Sequence, residues 1–260
     1  MNIVVCIKQV PNTTEVRINP ETNTLIREGV ESVINPFDAY AIEEGVRLKE
    51  KFGGKVTVVT MGPPQAVDAL REAISLGCDE AVLVTDKRFA GSDTWATSYT
   101  ISQTIKKIKD YDIVICGKQA SDGDTAQVGP GISTFLDVPQ VTYVKKIEEI
   151  KDGKAKVERM TEEGFEIIEV PLPVLLTVVK EINEPRLPSL KGKMKAKKAE
   201  ITKWDADTID CNVDQIGLNG SPTRVVKIFT PPPRKSGQIL KGEPHEIAEK
   251  LANLLKGEVI

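Results

Sequence analysis

"DIVICGKQASDGDTAQVGPGISTFL", residues 112–136, decides the fold. Ile113–Cys116 is an apolar run that reads as a buried strand. The fifteen residues that follow, 117–131, hold four glycines, two aspartates, one serine and one threonine. A helix-like apolar pattern then resumes. A strand buried on both faces belongs in a parallel sheet covered by helices. In open sheets of that kind, ligands bind beyond the carboxyl ends of the strands, at the switch point. Glycines and small side chains let backbone N–H groups approach a ligand closely, and a helix N-terminus attracts anions. The loop therefore reads as a phosphate cradle. The plain alternative is a solvated loop of turn residues, because the stretch matches neither G-x-G-x-x-G nor the Walker pattern.

The chain on both sides repeats the alternation. "NIVVCIKQV" (2–10) reads as a central strand. Residues 38–52 follow as a helix with Ala39, Ile42, Val46 and Phe52 on one face, ended by Gly53-Gly54. "KVTVVT" (55–60) is a second strand. Residues 64–77 form a helix on Val67, Leu70 and Ile74, stopped by Gly77. "EAVLVT" (80–85) is a third strand. Residues 92–109 form a helix with Ile101, Ile105 and Ile108 inward and Ser92 or Asp93 as cap. Such alternation implies right-handed crossovers. Past residue 140, "AKVERM" and "FEIIEVPL" pattern as a hairpin across "TEEG", and "PVLLTVV" (173–179) as another buried strand. Beyond residue 180 the periodicity fades. "TPPPRKSGQILKGEP" is extended, and a closing helix points Ile247, Leu251 and Leu254 or Leu255 inward. The expectation is an α/β, doubly wound, mostly parallel sheet with a β-hairpin addition. Residues 1–180 form the nucleotide-binding domain. Residues 181–260 form a long C-terminal arm that is not self-sufficient.

Composition narrows the chemistry. The 260 residues are 40% hydrophobic and 28% charged, with net charge −3. That balance disfavours a nucleic-acid binder. No apolar run approaches the roughly 20 residues of a membrane helix. The N-terminus has neither a basic n-region nor a cleavage site, which points to the cytoplasm. Cys6, Cys78, Cys116 and Cys211 are scattered, which argues against disulfide or iron–sulfur frameworks. His245 is the single histidine, so a Ser–His–Asp or Cys–His machine and a zinc site are disfavoured. Redox chemistry, if present, belongs to a cofactor.

Two further strand ends carry similar loops, "VTMGPPQ" and "INPFDAYAIEEGVRLKE". Together with "CIKQVP", "GKQASDGDTAQVGP" and "NEPRLPSLKGKMKAKK", they occur in an order that resembles the beta subunit of electron-transfer flavoprotein. The resemblance covers essentially the whole chain. It implies a fold like the adenine-nucleotide α-hydrolases and an obligate heterodimer with an FAD-bearing alpha subunit, which the arm would embrace. Its nucleotide pocket carries over onto Cys6, Ile7 and Lys8, onto Asn35, Pro36, Phe37 and Asp38, and onto Met61 and Gly62. It continues through Gly117, Lys118, Gln119, Asp122, Gly123, Asp124, Thr125, Ala126, Gln127, Val128 and Gly129. Ordinary members hold AMP there. Electron-bifurcating members hold a second FAD, and "DGDTAQVGP" resembles that branch. Its small residues leave room for a pyrophosphate and a flavin, with Asp124 near ribose hydroxyls or at a helix cap. NADH would be the electron donor, and ferredoxin or flavodoxin the low-potential acceptor. Residues 183–198 read plainly as a solvated basic loop. The family implies that they dock an acyl-CoA dehydrogenase, with Leu190 as anchor and Lys193, Met194 and Lys195 around it. A universal-stress-type nucleotide-binding module shares the fold, but needs neither that loop nor the arm.

Overall fold

The computed structural model describes residues 1–12, 32–227, 237 and 239–258. The chain opens with β1 (Asn2–Cys6), then β2 (Gln9–Pro11) and β3 (Ser32–Ile34). Next come α1 (Pro36–Phe52), β4 (Lys55–Met61), α2 (Val67–Leu76), β5 (Glu80–Val84) and α3 (Thr94–Ile108). They are followed by β6 (Ile113–Gly117), α4 (Val128–Leu136), β7 (Gln140–Lys151), β8 (Lys154–Met160), β9 (Phe165–Pro171) and β10 (Val174–Val178). The described chain closes with α5 (Leu190–Lys198), β11 (Thr202–Trp204) and α6 (Pro244–Glu258).

Among the described residues, one nine-stranded sheet runs β11-β5-β4-β1-β6-β10-β7-β8-β9. Every neighbouring pair from β11 to β7 is parallel, and β8 and β9 are antiparallel additions. The chain winds from β1 through β4 to β5, then returns to place β6 on the other side of β1. The switch point therefore lies between β1 and β6, as the opening loop predicts. Pleating divides β1 between two cores. Ile3 and Val5 face the layer of α1 and α2, and Val4 faces the layer of α3 and α4. Burial on both faces accounts for the unbroken apolar runs in the central strands.

Several expectations need correction. The first strand stops at Cys6 rather than Val10. Gln9–Pro11 turns away to pair antiparallel with Ser32–Ile34 in a separate ribbon. A twelve-residue β7 follows residue 140, where no apolar run announces it. Two of its charged side chains enter cross-strand ion pairs, Lys145–Glu158 and Lys156–Glu148, both at 3.3 Å. The hairpin across "TEEG" is β8–β9.

After residue 180 the chain folds back onto the domain before it leaves. The Arg186 guanidinium bridges Glu43 at 2.8 Å and Glu50 at 2.6 Å, and the Asn183 amide donates to Tyr40 O and to Glu44. The basic segment is a helix, α5, because the Ser189 hydroxyl caps it by accepting from Gly192 N at 3.0 Å. Arg71 and Lys195 fasten that helix to α2 and the turn beyond it by donating to Ala196 O and Cys78 O. β11 then pairs with β5 at the sheet's edge. Five lysines within residues 190–198 hide this order from a periodicity argument. In α6, Leu251, Leu254 and Leu255 are exposed, so its apolar stripe does not face this chain's own core. Most of "TPPPRKSGQILKGEP" lies outside the described residues.

Asp93 joins the arm to the core. Its carboxylate caps α3 by accepting from Trp95 N and Ala96 N, and it also accepts from Thr223 N and Oγ1. Asp93→Ala removes the cap and the tether together. The expected loss is about 2 kcal/mol of unfolding free energy, read as a lower urea midpoint with an unchanged m-value. An unaltered midpoint would show that neither contact contributes.

Candidate functional site

The sheet's carboxyl edge is built around two buried polar residues at the start of α1. Asn35 is 1% exposed. Its Nδ2 donates to Gln119 O at 2.8 Å, and its Oδ1 accepts from Ser121 N at 3.0 Å. Asp38 accepts from Lys8 N at 2.7 Å. Burial pushes its carboxyl up to about 7, against hydrogen bonds from the Lys8 and Gly117 backbones and the Asn35 side chain that pull the other way. A Cβ on Gly117 would strike Asp38 Oδ1 and the Phe37 backbone, so only glycine fits beneath this brace. Asn35 and Asp38 thus bind the chain itself, where the sequence left capping or ligand contact open. Pro36 occupies the first helical position, which needs no N–H.

The braced loop is open on its other side. Residues 121–125 are exposed, and nothing lies within 4 Å of where a Cβ on Gly123 would stand. Asp124 and Ala126 both adopt positive φ, 52° and 56°. Asp124 N donates to Ala120 O at 2.8 Å, and Gln119 Nε2 donates to the Asp124 carboxylate. Asp124 is therefore tied within the loop and is not a helix cap. The amides of Thr125, Ala126 and Gln127 donate to no acceptor among the described residues. Gln127 begins α4 without a side-chain capping bond. Val128 and Gly129 form its first turn, and a Cβ on Gly129 would come 2.6 Å from Thr177 Cγ2. Gly129 therefore seats this helix start against β10.

The other candidates border the same edge. Cys6 pairs in register with Cys116 at the ends of β1 and β6. Ile7 is buried, its carbonyl accepting from Thr60 Oγ1 at 2.8 Å. Met61 ends β4, and Gly62 N donates to Val84 O. Lys8 Nζ contacts the Asp122 carboxylate at 2.6 Å. Lys118 N donates to Val178 O, and its ammonium stands 5.1 Å from the Phe37 ring centre and 5.7 Å from that of Tyr143. Tyr143 escaped the sequence reading, since β7 and its bulge left no pattern there. Leu190, Lys193, Met194 and Lys195 belong to α5, away from this edge. Leu190 and Met194 are 83% and 62% exposed. The Lys195 ammonium is engaged with Cys78 O at 3.0 Å and Asp79 at 3.6 Å, so it is not a free steering charge.

Chemically, the edge offers unsatisfied amides, a helix N-terminus and small side chains over a rigid floor. Those are the groups that suit a nucleotide's phosphates. Residues 22–209 match the family model of the electron transfer flavoprotein domain. The chain is 56% identical over 256 residues to an electron transfer flavoprotein subunit beta of Thermoanaerobacterium thermosaccharolyticum, with 98% of each chain covered. It is 50% identical to the caffeyl-CoA reductase-Etf complex subunit CarD of Acetobacterium woodii, again over 98% of each. It is 48% identical to protein FixA of Azotobacter vinelandii, over 96% of this chain and 92% of that one.

This chain belongs to the electron transfer flavoprotein beta-subunit family. Membership implies a flavin-linked role and an alpha-subunit partner in a dehydrogenase-type complex. Among the described residues, no helix is long and apolar enough to cross a membrane.

Asp38 makes the brace sensitive to pH. Its carboxyl titrates at 3.8 ordinarily and near 7 when folded. Between those values the folded chain binds the extra proton, so stability falls as pH rises and levels off above about 7. The slope from this one group is at most about 1.4 kcal/mol per pH unit. Asp38→Asn should remove that part of the slope from urea titrations run across the interval. A variant that keeps the wild-type slope would assign the titration elsewhere.

Proposed function

We propose that this chain holds an FAD at the sheet's carboxyl edge and works as the NADH-oxidising half of an electron-bifurcating flavoprotein. The observation that carries the reading is the loop at 117–128, braced from below by Asn35 and Asp38 and left with free amides and open space at Gly123 above. Thr125, Ala126 and Gln127 offer N–H groups to a pyrophosphate. Gly123 lets the ligand lie against the backbone, and Met61 and Ile7 provide apolar surface at the neighbouring strand ends. When bound, the flavin supplies the redox chemistry: hydride from NADH, then one electron to the alpha subunit's FAD and one to a ferredoxin or flavodoxin. The protein's part is to bind, orient and shield, so no side chain need act as acid or base.

The remainder of the chain serves contacts. Leu190 and Met194 project from α5 as an apolar spot rimmed by lysines, suited to an acyl-CoA dehydrogenase. The name of the CarD relative, a subunit of a caffeyl-CoA reductase complex, supports a partner of that class. The exposed leucines of α6 fit the alpha subunit, which would cover the stripe that this chain leaves bare. A cytoplasmic setting accords with such soluble partners.

Nucleotide extracted from the purified heterodimer tests the central point. Two FAD per heterodimer and no AMP are expected, with direct bleaching by NADH in the absence of a dehydrogenase. One tightly bound AMP, with no response to NADH, would leave an ordinary single-electron carrier. ATP would point to the signalling class. Gly123→Val places a branched side chain into the ligand's space without touching the protein, so it should empty the site while the fold stays intact. Full occupancy in that variant would move the cradle elsewhere. Leu190→Ala should weaken dehydrogenase binding about thirtyfold, on the order of 2 kcal/mol, at unchanged flavin content. Unchanged affinity would remove α5 from the docking surface.

A further inference from the structure

Tyr143 is an outlier in the backbone. Its φ is +59°, a region that a bulky aromatic residue seldom enters. It stands in β7 where the register against β10 shifts between Leu176 and Val178. A bulge of this kind bends a strand and re-aims a side chain. The displaced amide is satisfied from within, donating to the buried Thr177 Oγ1 at 3.1 Å. Strain that persists in a well-bonded setting is characteristic of functional positions.

The re-aimed ring meets the Lys118 ammonium. Phe37, from the start of α1, stands on the same ammonium. Three separate elements thus converge on one cation, and aromatic faces hold a cation without neutralising it. Lys118 forms no ion pair with a carboxylate among the described residues. Lys8, on the same edge, is neutralised by Asp122 at 2.6 Å. Lys118 is therefore a positioned positive charge without a counter-ion, on the loop whose Thr125–Gln127 amides also lack acceptors.

We propose that Lys118, held between Phe37 and Tyr143, is the cation that takes a phosphate of the bound nucleotide, and that the strained backbone of Tyr143 exists to hold it there. This rests on the nucleotide-binding reading of the edge. A phosphate is common to AMP and to the FAD pyrophosphate, so the assignment of Lys118 is the same for either.

The test uses the heterodimer with its alpha subunit. The nucleotide extracted from the wild type is identified, and the stripped complex is then titrated with it by calorimetry at low and high salt. Lys118→Met should weaken binding about tenfold or more and flatten its salt dependence, while Lys118→Arg should keep both near wild type. Tyr143→Gly should weaken binding severalfold. Combined with Lys118→Met, it should add nothing further, because the ring acts through the ammonium. Unchanged affinity and salt dependence in Lys118→Met would overturn the phosphate role. Additive losses in the double variant would overturn the positioning role of Tyr143. A wild-type complex with no nucleotide would remove the parent reading and this proposal together, an outcome that no variant can mimic.

Discussion

The buried hydrogen bonds of Asn35 and Asp38 are the constraint on which the rest of the candidate site depends. Fifteen residues rich in glycine would sample many conformations if only their two ends were anchored, and ordering them costs about 1–2 kcal/mol per residue. Asn35 meets that cost at Gln119 and Ser121, and Asp38 fixes the two strand ends that flank the loop. Both act from inside, so the outer face of the loop is left with unsatisfied N–H groups. A buried amide and carboxylate whose polar atoms are occupied are expensive to disturb. A free amide on the outer face is available to a ligand at no such cost.

The alternation of strands and helices was legible, and for a physical reason. Central strands such as β1 and β6 are apolar on both faces because helices cover both, and α1 to α3 end or begin at residues that say so, Gly53, Gly77 and Asp93 among them. The loop after β6 was legible as a loop that serves no core, and residues 121–125 are indeed exposed. What stayed hidden was order that does not rest on apolar spacing. β7 is held by parallel pairing and by Lys–Glu pairs, and α5 by a serine cap and by Arg71 and Lys195 reaching to and from α2. Both are dense in lysine and read as solvated from composition alone.

Within the site, the positions could be named from sequence but not their division of labour. Asn35 and Asp38 stood out as helix-start residues near a ligand, yet their polar atoms are turned to the protein. Asp124 was placed near ribose hydroxyls or at a helix cap; it is no cap, and its carboxylate accepts from Gln119. Tyr143 left no trace, because a bulge arises from a mismatch between two strands, β7 and β10, that lie far apart in the chain.

Helix α1 links the two halves of the molecule's business. Asn35 and Asp38 lie at its start, while Glu43, Glu44 and Glu50 along its length grip Arg186 and Asn183, from which α5 departs. Its 17 residues span about 25 Å as a single stiff rod. The loop at the sheet edge and the outward-facing apolar spot of α5 are thus referenced to the same rod. Their separation is set by this rod together with the fastening of α5 to α2 by Arg71 and Lys195, rather than by the loops between them. In a chain of the electron transfer flavoprotein family, such dimensional control limits how far those two surfaces can drift apart.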